Sequence, residues 1–288
     1  FVMMFAPLGG MLTAPVSGAI IAALDWRWLF IIEGLLSPVV LVVWWFMISD
    51  RPQEAHWLPA RERDYLVTTL AAERAAKQAE APVSKAPVKD VFGNAGLMKL
   101  VILNFFYQTG DYGYTLWLPT ILKGLTGGNM ASVGFLAVLP FVATLAGIYV
   151  ISLFSDHSGK RRLWVRFSLY SFAAALVASV VLRDHMVAAY IALVICGFFL
   201  KSATSPFWSM PGRIASPEVA GSARGVINGL GNLGGFCGPY LVGVMMYLYG
   251  QNVAVCALAG SLIIAGTMTF LLPKQCDLVD SDSDVAIK

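Results

Sequence analysis

Apolar residues gather in eight stretches of about twenty, at 1–24, 28–48, 100–122, 133–154, 163–182, 187–210, 225–250 and 253–272. About twenty residues of helix cross a hydrocarbon core about 30 Å thick. A buried helix of a soluble protein keeps a polar face, and most of these stretches have none. The reading is therefore an all-α membrane protein with eight transmembrane helices. A charge-rich insert of roughly fifty residues follows the second stretch and leaves six behind it.

Proline and charge at Asp50-Arg51-Pro52 stop the second stretch. Residues 60–77 read as a solvated helix carrying Glu62, Arg63, Asp64, Glu73 and Arg74, with Pro59 placed to start it. Residues 79–86 carry two prolines and no apolar periodicity, the mark of a flexible tether. The acidic tail at 274–288 reads as disordered. The chain opens on Phe1, almost inside a helix, so preceding sequence is expected.

Hydrophobic residues make up 58% of the chain and charged residues 13%, against about a quarter charged in soluble domains. If the stretches alternate in direction, sixteen of the twenty Lys and Arg fall on one side and Arg27, Lys123 and Arg183 on the other, with Lys201 inside a stretch. That asymmetry places the insert and the C-terminus in the cytoplasm. The basic residues sit at loop ends, not on one face, which excludes nucleic-acid binding. Cys196, Cys237, Cys256 and Cys276 lack metal or redox spacing, and His56, His157 and His185 are scattered. No Walker-type loop is present. Neither a catalytic centre nor a metal or cofactor is expected, and the chain is read as a non-enzyme.

Polar side chains form stripes inside the apolar stretches. Asn104, Gln108, Asp111 and Thr115 fall within a narrow sector at 100° per residue, flanked by Tyr107 and Tyr112. An unpartnered charge at the depth of Asp111 costs about 2.5–3.5 kcal/mol, so this face meets either a solute pathway or a neighbouring helix. Lys201, Ser205 and Trp208 share a face of the sixth stretch, with Thr204 nearby. Lys201 has three readings: contact with an anionic solute, pairing inside the protein, or snorkelling to the surface. Counting residues puts Asp111 and Lys201 at different depths. Asn228 and Asn232 share a face of the glycine-rich seventh stretch, either locking helices or binding a solute. Asp111 and Glu33 are the acids well inside stretches, and Asp111, the deeper, is the proton-carrier candidate.

The segment Ser152-Leu-Phe-Ser-Asp156-His-Ser-Gly159-Lys160-Arg161-Arg162 resembles the Gly-x-x-x-Asp-Arg-x-Gly-Arg-Arg motif of the major facilitator superfamily. Ser152 replaces its first glycine and His157 its basic residue. Trp26–Gly34, Asp50–Pro52, Tyr112–Thr120, Pro206–Trp208 and Asn228–Gly235 resemble the anion:cation symporter branch of organic-acid and sugar-acid permeases. The resemblance implies two six-helix halves around a central cavity, with this chain holding helices five to twelve. Residues 1–49 would end the first half, 50–98 form the cytoplasmic loop and 99–273 the second half. It implies a monomer in the cell membrane that imports a small organic anion with protons by alternating access. Asn104, Tyr107, Gln108, Tyr112, Lys201, Ser205, Trp208, Asn228 and Asn232 are then the candidate substrate contacts. Asp156, Gly159, Arg161, Arg162 and Trp117 are the candidate gate, with Asp156 facing the N-terminus of the first stretch. The rivals are an efflux carrier for hydrophobic compounds and a fragment that transports nothing.

Overall fold

The structure, a computed structural model, describes residues 5–49, 51–55, 57–80, 89–127, 130–215 and 219–277. The start of the first stretch, Asp50, His56, positions 81–86 of the expected tether and the tail from 278 onwards lie outside these residues. The described residues contain helices and no strand. In chain order the helices are α1 (Phe5–Ala23), α2 (Trp26–Met47), α3 (Ala60–Glu80), α4 (Lys89–Gly93), α5 (Ala95–Thr126), α6 (Met130–Ser158), α7 (Arg161–Val181), α8 (Met186–Leu200), α9 (Thr204–Ser209), α10 (Pro211–Ile214), α11 (Ala220–Tyr249) and α12 (Gln251–Met268).

Local chemistry sets several ends. Asn94 caps α5 by accepting from the amides of Gly96 and Leu97, and Gly127 closes it in the left-handed region at φ 61°. Asp25 caps α2 in the same way as Asn94 caps α5. Helix α3 runs on to Glu80, so positions 79 and 80 of the expected tether are helical. Ala- and Glu-rich sequence favours the helix it already has over a turn at that point.

By length and composition, helical segments at Trp26–Met47, Met130–Ser158, Arg161–Val181, Met186–Ile214 and Gln251–Leu271 are apolar enough to cross a membrane, and Pro7–Ala23 is a shorter apolar helix. The protein is therefore an integral membrane protein. Helices α5 and α11 are as long, at 32 and 30 residues, but their polar and glycine positions lower their apolarity.

The chain divides into two units, residues 24–86 and residues 1–23 with 87–288. The smaller unit comprises α2, a 3₁₀ turn at Pro52–Glu54 and α3. The division parts the two leading helices, which the sequence reading groups at 1–49. Helix α1 goes with the larger unit because small residues let it lie directly on α6. A Cβ on Gly18 would meet the Met130 carbonyl at 2.6 Å, and one on Gly134 would meet that of Ala14 at 2.6 Å.

In the larger unit, α5 packs chiefly on α11 and α12, α6 on α8, and α7 on α8 and α12. Its core includes Leu100, Leu103, Tyr114, Leu169, Phe172, Phe207, Leu258 and Leu262, all fully buried. The sixth stretch, expected as one helix, is broken at residues 201–203. Pro206 has no amide to offer the Ser202 carbonyl and its ring collides with it, which stops the α-helical ladder there. Pro211 produces the second interruption, between α9 and α10, for the same reason. The tail expected to be disordered from 274 begins with a 3₁₀ turn, Lys274–Cys276, whose Cys276 is buried.

Candidate functional site

The sector of α5 predicted as a single polar stripe divides by burial. Asn104 and Tyr107 are buried and bonded to the protein. Asn104 Nδ2 donates to the Ile227 carbonyl of α11 at 3.0 Å. Tyr107 Oη donates to the Leu200 carbonyl at 2.8 Å and lies 3.0 Å from Thr204 Oγ1. These two expected substrate contacts are therefore directed into helix seams. For Asn104 the reason is the close approach of α11, whose Gly231 and Gly234 have no side chain to hold it away, whereas Tyr107 faces the end of α8. A Cβ on Gly231 would run into the Asn104 amide, and one on Gly234 into the Phe105 carbonyl.

Lys201 sits at the break, one residue beyond the end of α8. Its Nζ donates to Asp111 Oδ2 at 2.5 Å, with the Asp111 side chain 2% exposed and that of Lys201 31% exposed. Of the three readings of Lys201, the structure shows pairing within the protein. Residue counting separates the two because it starts from the wrong ends. Helix α5 begins at Ala95, putting Asp111 about 24 Å along it, and the sixth helical region continues to Ile214, putting Lys201 about 20 Å from that end. The lysine stem spans the remainder. Lys201 Nζ also lies 5.6 Å from the Tyr112 ring centroid, within cation–π range. Asp111 Oδ1 is buried and has no hydrogen-bond partner among the described residues.

Beside the ion pair runs a chain of amides. Gln108 Nε2 donates to Asn232 Oδ1 at 2.8 Å, and Asn232 Nδ2 donates to Asn228 Oδ1 at 2.8 Å. Asn228 is the exposed end of this chain, while Gln108 and Asn232 are half-buried. Ser205 and Trp208 on α9 are half-buried as well. The structure thus brings Asp111, Lys201 and Tyr112 together, and separately links Gln108, Asn232 and Asn228. A half-buried cation, an orphaned carboxylate oxygen and an amide at the surface are groups suited to holding an anionic, hydroxyl-bearing solute.

Of the candidate gate residues, Asp156, Gly159, Arg161 and Arg162 lie together at the turn from α6 to α7, and Trp117 lies apart on α5. Trp117 Nε1 donates to the Pro239 carbonyl at 3.2 Å, fastening α5 to α11. Gly159 takes φ +66°, which lets the chain turn from α6 into α7. Asp156 is exposed, and its expected partner at the start of the first stretch lies outside the described residues. Arg162 is bonded to Asp277, a residue of the tail for which the sequence offers no signal, the two being 115 positions apart. A cavity of about 240 Å³ lined by Ser179, Arg183, Gln251 and Asn252 lies beside Gly124, more than three turns of α5 beyond Asp111. Among the described residues no cluster of His, Cys, Asp and Glu could hold a metal.

The sequence model of the Major Facilitator Superfamily matches residues 1–239 and, in a second alignment, 127–277. The chain is 30% identical over 277 residues to a protein of Agrobacterium vitis named "Putative tartrate transporter", covering 94% of this chain and 60% of that protein. It is 31% identical over 290 residues to the "Inner membrane transport protein RhmT" of Escherichia coli, covering 97% and 65%. Identity to the "Quinolone resistance transporter" of Acinetobacter baumannii is 28% over 258 residues, covering 86% and 58%. The chain thus spans less than two thirds of the length of these curated relatives. Helical architecture, apolar helices, the Asp156–Arg162 motif and these matches agree, and the chain belongs to the Major Facilitator Superfamily.

Proposed function

We propose that this protein serves a secondary transporter that imports a small organic anion together with protons by alternating access. The observation that carries the reading is the Lys201–Asp111 pair with its unpartnered Oδ1. An entering carboxylate competes with Asp111 for the Lys201 ammonium. Once Lys201 turns to the solute, Asp111 is left as a buried anion without its counter-ion, and taking up a proton removes that cost. Solute and proton then cross together. Gln108 and Asn232 hold the Asn228 amide for hydroxyl or carboxylate groups, while Tyr112 and Trp208 supply an apolar wall. The relatives named for tartrate transport and as an inner membrane transport protein support an organic-acid substrate and a cell-membrane location. The basic asymmetry of the loops supports a cytoplasmic insert and C-terminus. Working as a monomer in lipid remains part of the same reading, as does the assignment of the eight helices to positions five to twelve of the fold.

Uptake into vesicles of dicarboxylic, sugar and aromatic acids, with internal pH recorded, tests this proposal. One class is expected to enter with acidification, and Lys201→Ala and Asn228→Ala are each expected to slow it by about tenfold or more while the protein still inserts. Unchanged uptake in both variants removes these residues from the site. The relative named for quinolone resistance favours a second reading, export of hydrophobic compounds. Dye export without acid uptake would establish that reading in place of the first.

A further inference from the structure

The cavity beside Gly124 lies at the end of the larger unit away from the Lys274–Cys276 turn, where α5 and α7 finish and α8 and α12 start. It is about 20 Å along α5 from Asp111, so it belongs neither to the ion pair nor to the amide chain. The sequence makes the room. Gly124 has no side chain, and a Cβ there would stand 3.0 Å from Gln251 Oε1, so the glycine lets the Gln251 carboxamide lie against α5. Ile121, Ala189, Leu193 and Val255 form an apolar floor and are all buried.

The lip is polar. The short link between α7 and α8 brings Arg183 and Asp184 to it, and the start of α12 adds Gln251 and Asn252. Arg183 Nε and Asp184 Oδ1 are 3.7 Å apart, with side chains 58% and 85% exposed. That separation exceeds a hydrogen bond, and a pair so exposed holds itself weakly. Ser179 is buried and donates its proton to the Leu176 carbonyl at 2.7 Å, which leaves its oxygen free to accept.

A cation and an anion side by side disfavour a ligand with one charge. A lone carboxylate that reaches Arg183 also meets Asp184, and a lone ammonium that reaches Asp184 also meets Arg183. A molecule carrying both charges a few bonds apart satisfies the two together through charge-assisted bonds, and the floor takes an aliphatic tail. We propose that this cavity binds a small zwitterion with an apolar tail, its oxyanion on Arg183, its ammonium on Asp184 and Ser179, and its tail on Leu193 and Val255. The carboxamides of Gln251 and Asn252, each with donors and an acceptor, serve either charge. A free aliphatic amino acid has this chemistry, and so has the ethanolamine headgroup of a phospholipid.

The test is calorimetric titration of the protein in phosphatidylglycerol nanodiscs with leucine, isocaproate and isoamylamine, which share a branched tail but carry two charges or one. Leucine is expected to bind at least about tenfold more tightly than either analogue, and Arg183→Ala and Asp184→Asn are each expected to weaken it by about tenfold or more. Both side chains are at the surface, and thermal melts check that the variants fold. Nanodiscs containing phosphatidylethanolamine separate the two sources. With a headgroup as occupant, leucine does not bind, and this lipid raises the melting temperature of the wild type but of neither variant. An analogue that binds as tightly as leucine, or leucine binding unchanged in both variants, overturns the zwitterion assignment. No leucine binding together with no effect of phosphatidylethanolamine overturns the site. None of these readouts involves uptake, so the outcome stands apart from that of the transport reading.

Discussion

Lys201 reaches Asp111 because α8 stops at Leu200, one residue before the lysine. Within a continuous helix the side chain would follow the wall of that helix. At the break it crosses to α5, where Tyr107, one turn below Asp111, bonds the Leu200 carbonyl that the break leaves without a helical donor. Two side chains of α5 thus stabilise a discontinuity that Pro206 imposes.

Lys201→Met leaves Asp111 buried and unpaired, and removal of one partner from such a pair costs about 3–5 kcal/mol. The expected outcome is a clear drop in melting temperature of the purified protein. Adding Asp111→Asn is expected to recover most of it, because the second change removes the stranded charge. A double variant as unstable as the single one would show that the pair is not the cause.

Tyr107→Phe keeps the ring and deletes the hydroxyl that bonds the Leu200 carbonyl and Thr204. A buried carbonyl losing its donor costs about 1–3 kcal/mol. Thermal or denaturant unfolding should register that loss, and Thr204→Val should cost less because the carbonyl keeps its partner.

Gly234→Ala is expected to destabilise by about 1–3 kcal/mol, since the new methyl group collides with backbone of α5. Gly260→Ala, where nothing lies within 4 Å of the added atom, is expected to be neutral or stabilising by about 0.5–1 kcal/mol. Melting curves of the two variants measured side by side decide it, and equal losses would refute the close α5–α11 approach.

Burial pushes the Cys276 thiol up to about 11. The thiolate is the species that reacts, so alkylation is expected to be slow at neutral pH and to rise about tenfold per pH unit until that value is reached. A rate that levels off near pH 8.5, where an ordinary thiol titrates, would show that Cys276 is exposed.

The apolar stretches, their order and the polar sector on α5 were legible in the residues themselves, because helix period and apolar length are local properties. Asp111 and Lys201 could be singled out for the same reason, since a charge inside an apolar stretch is visible without any neighbour. Their partnership was not legible. It depends on where α5 starts, on the break ahead of Pro206 and on the depth at which two helices cross. Burial of Asn104 follows from Gly231 on another helix, more than a hundred residues away, and that of Tyr107 from the end of α8.

Asp277 makes the same point at the other end of the larger unit. An aspartate in an acidic tail reads as solvated, and its role as cap for α7 arises when packing brings the end of α12 beside Arg162. Composition and periodicity show that apolar helices form, several of them long enough to cross a membrane. Which polar groups find one another is set by side-chain contact at a few ångströms, and that emerges when distant segments pack.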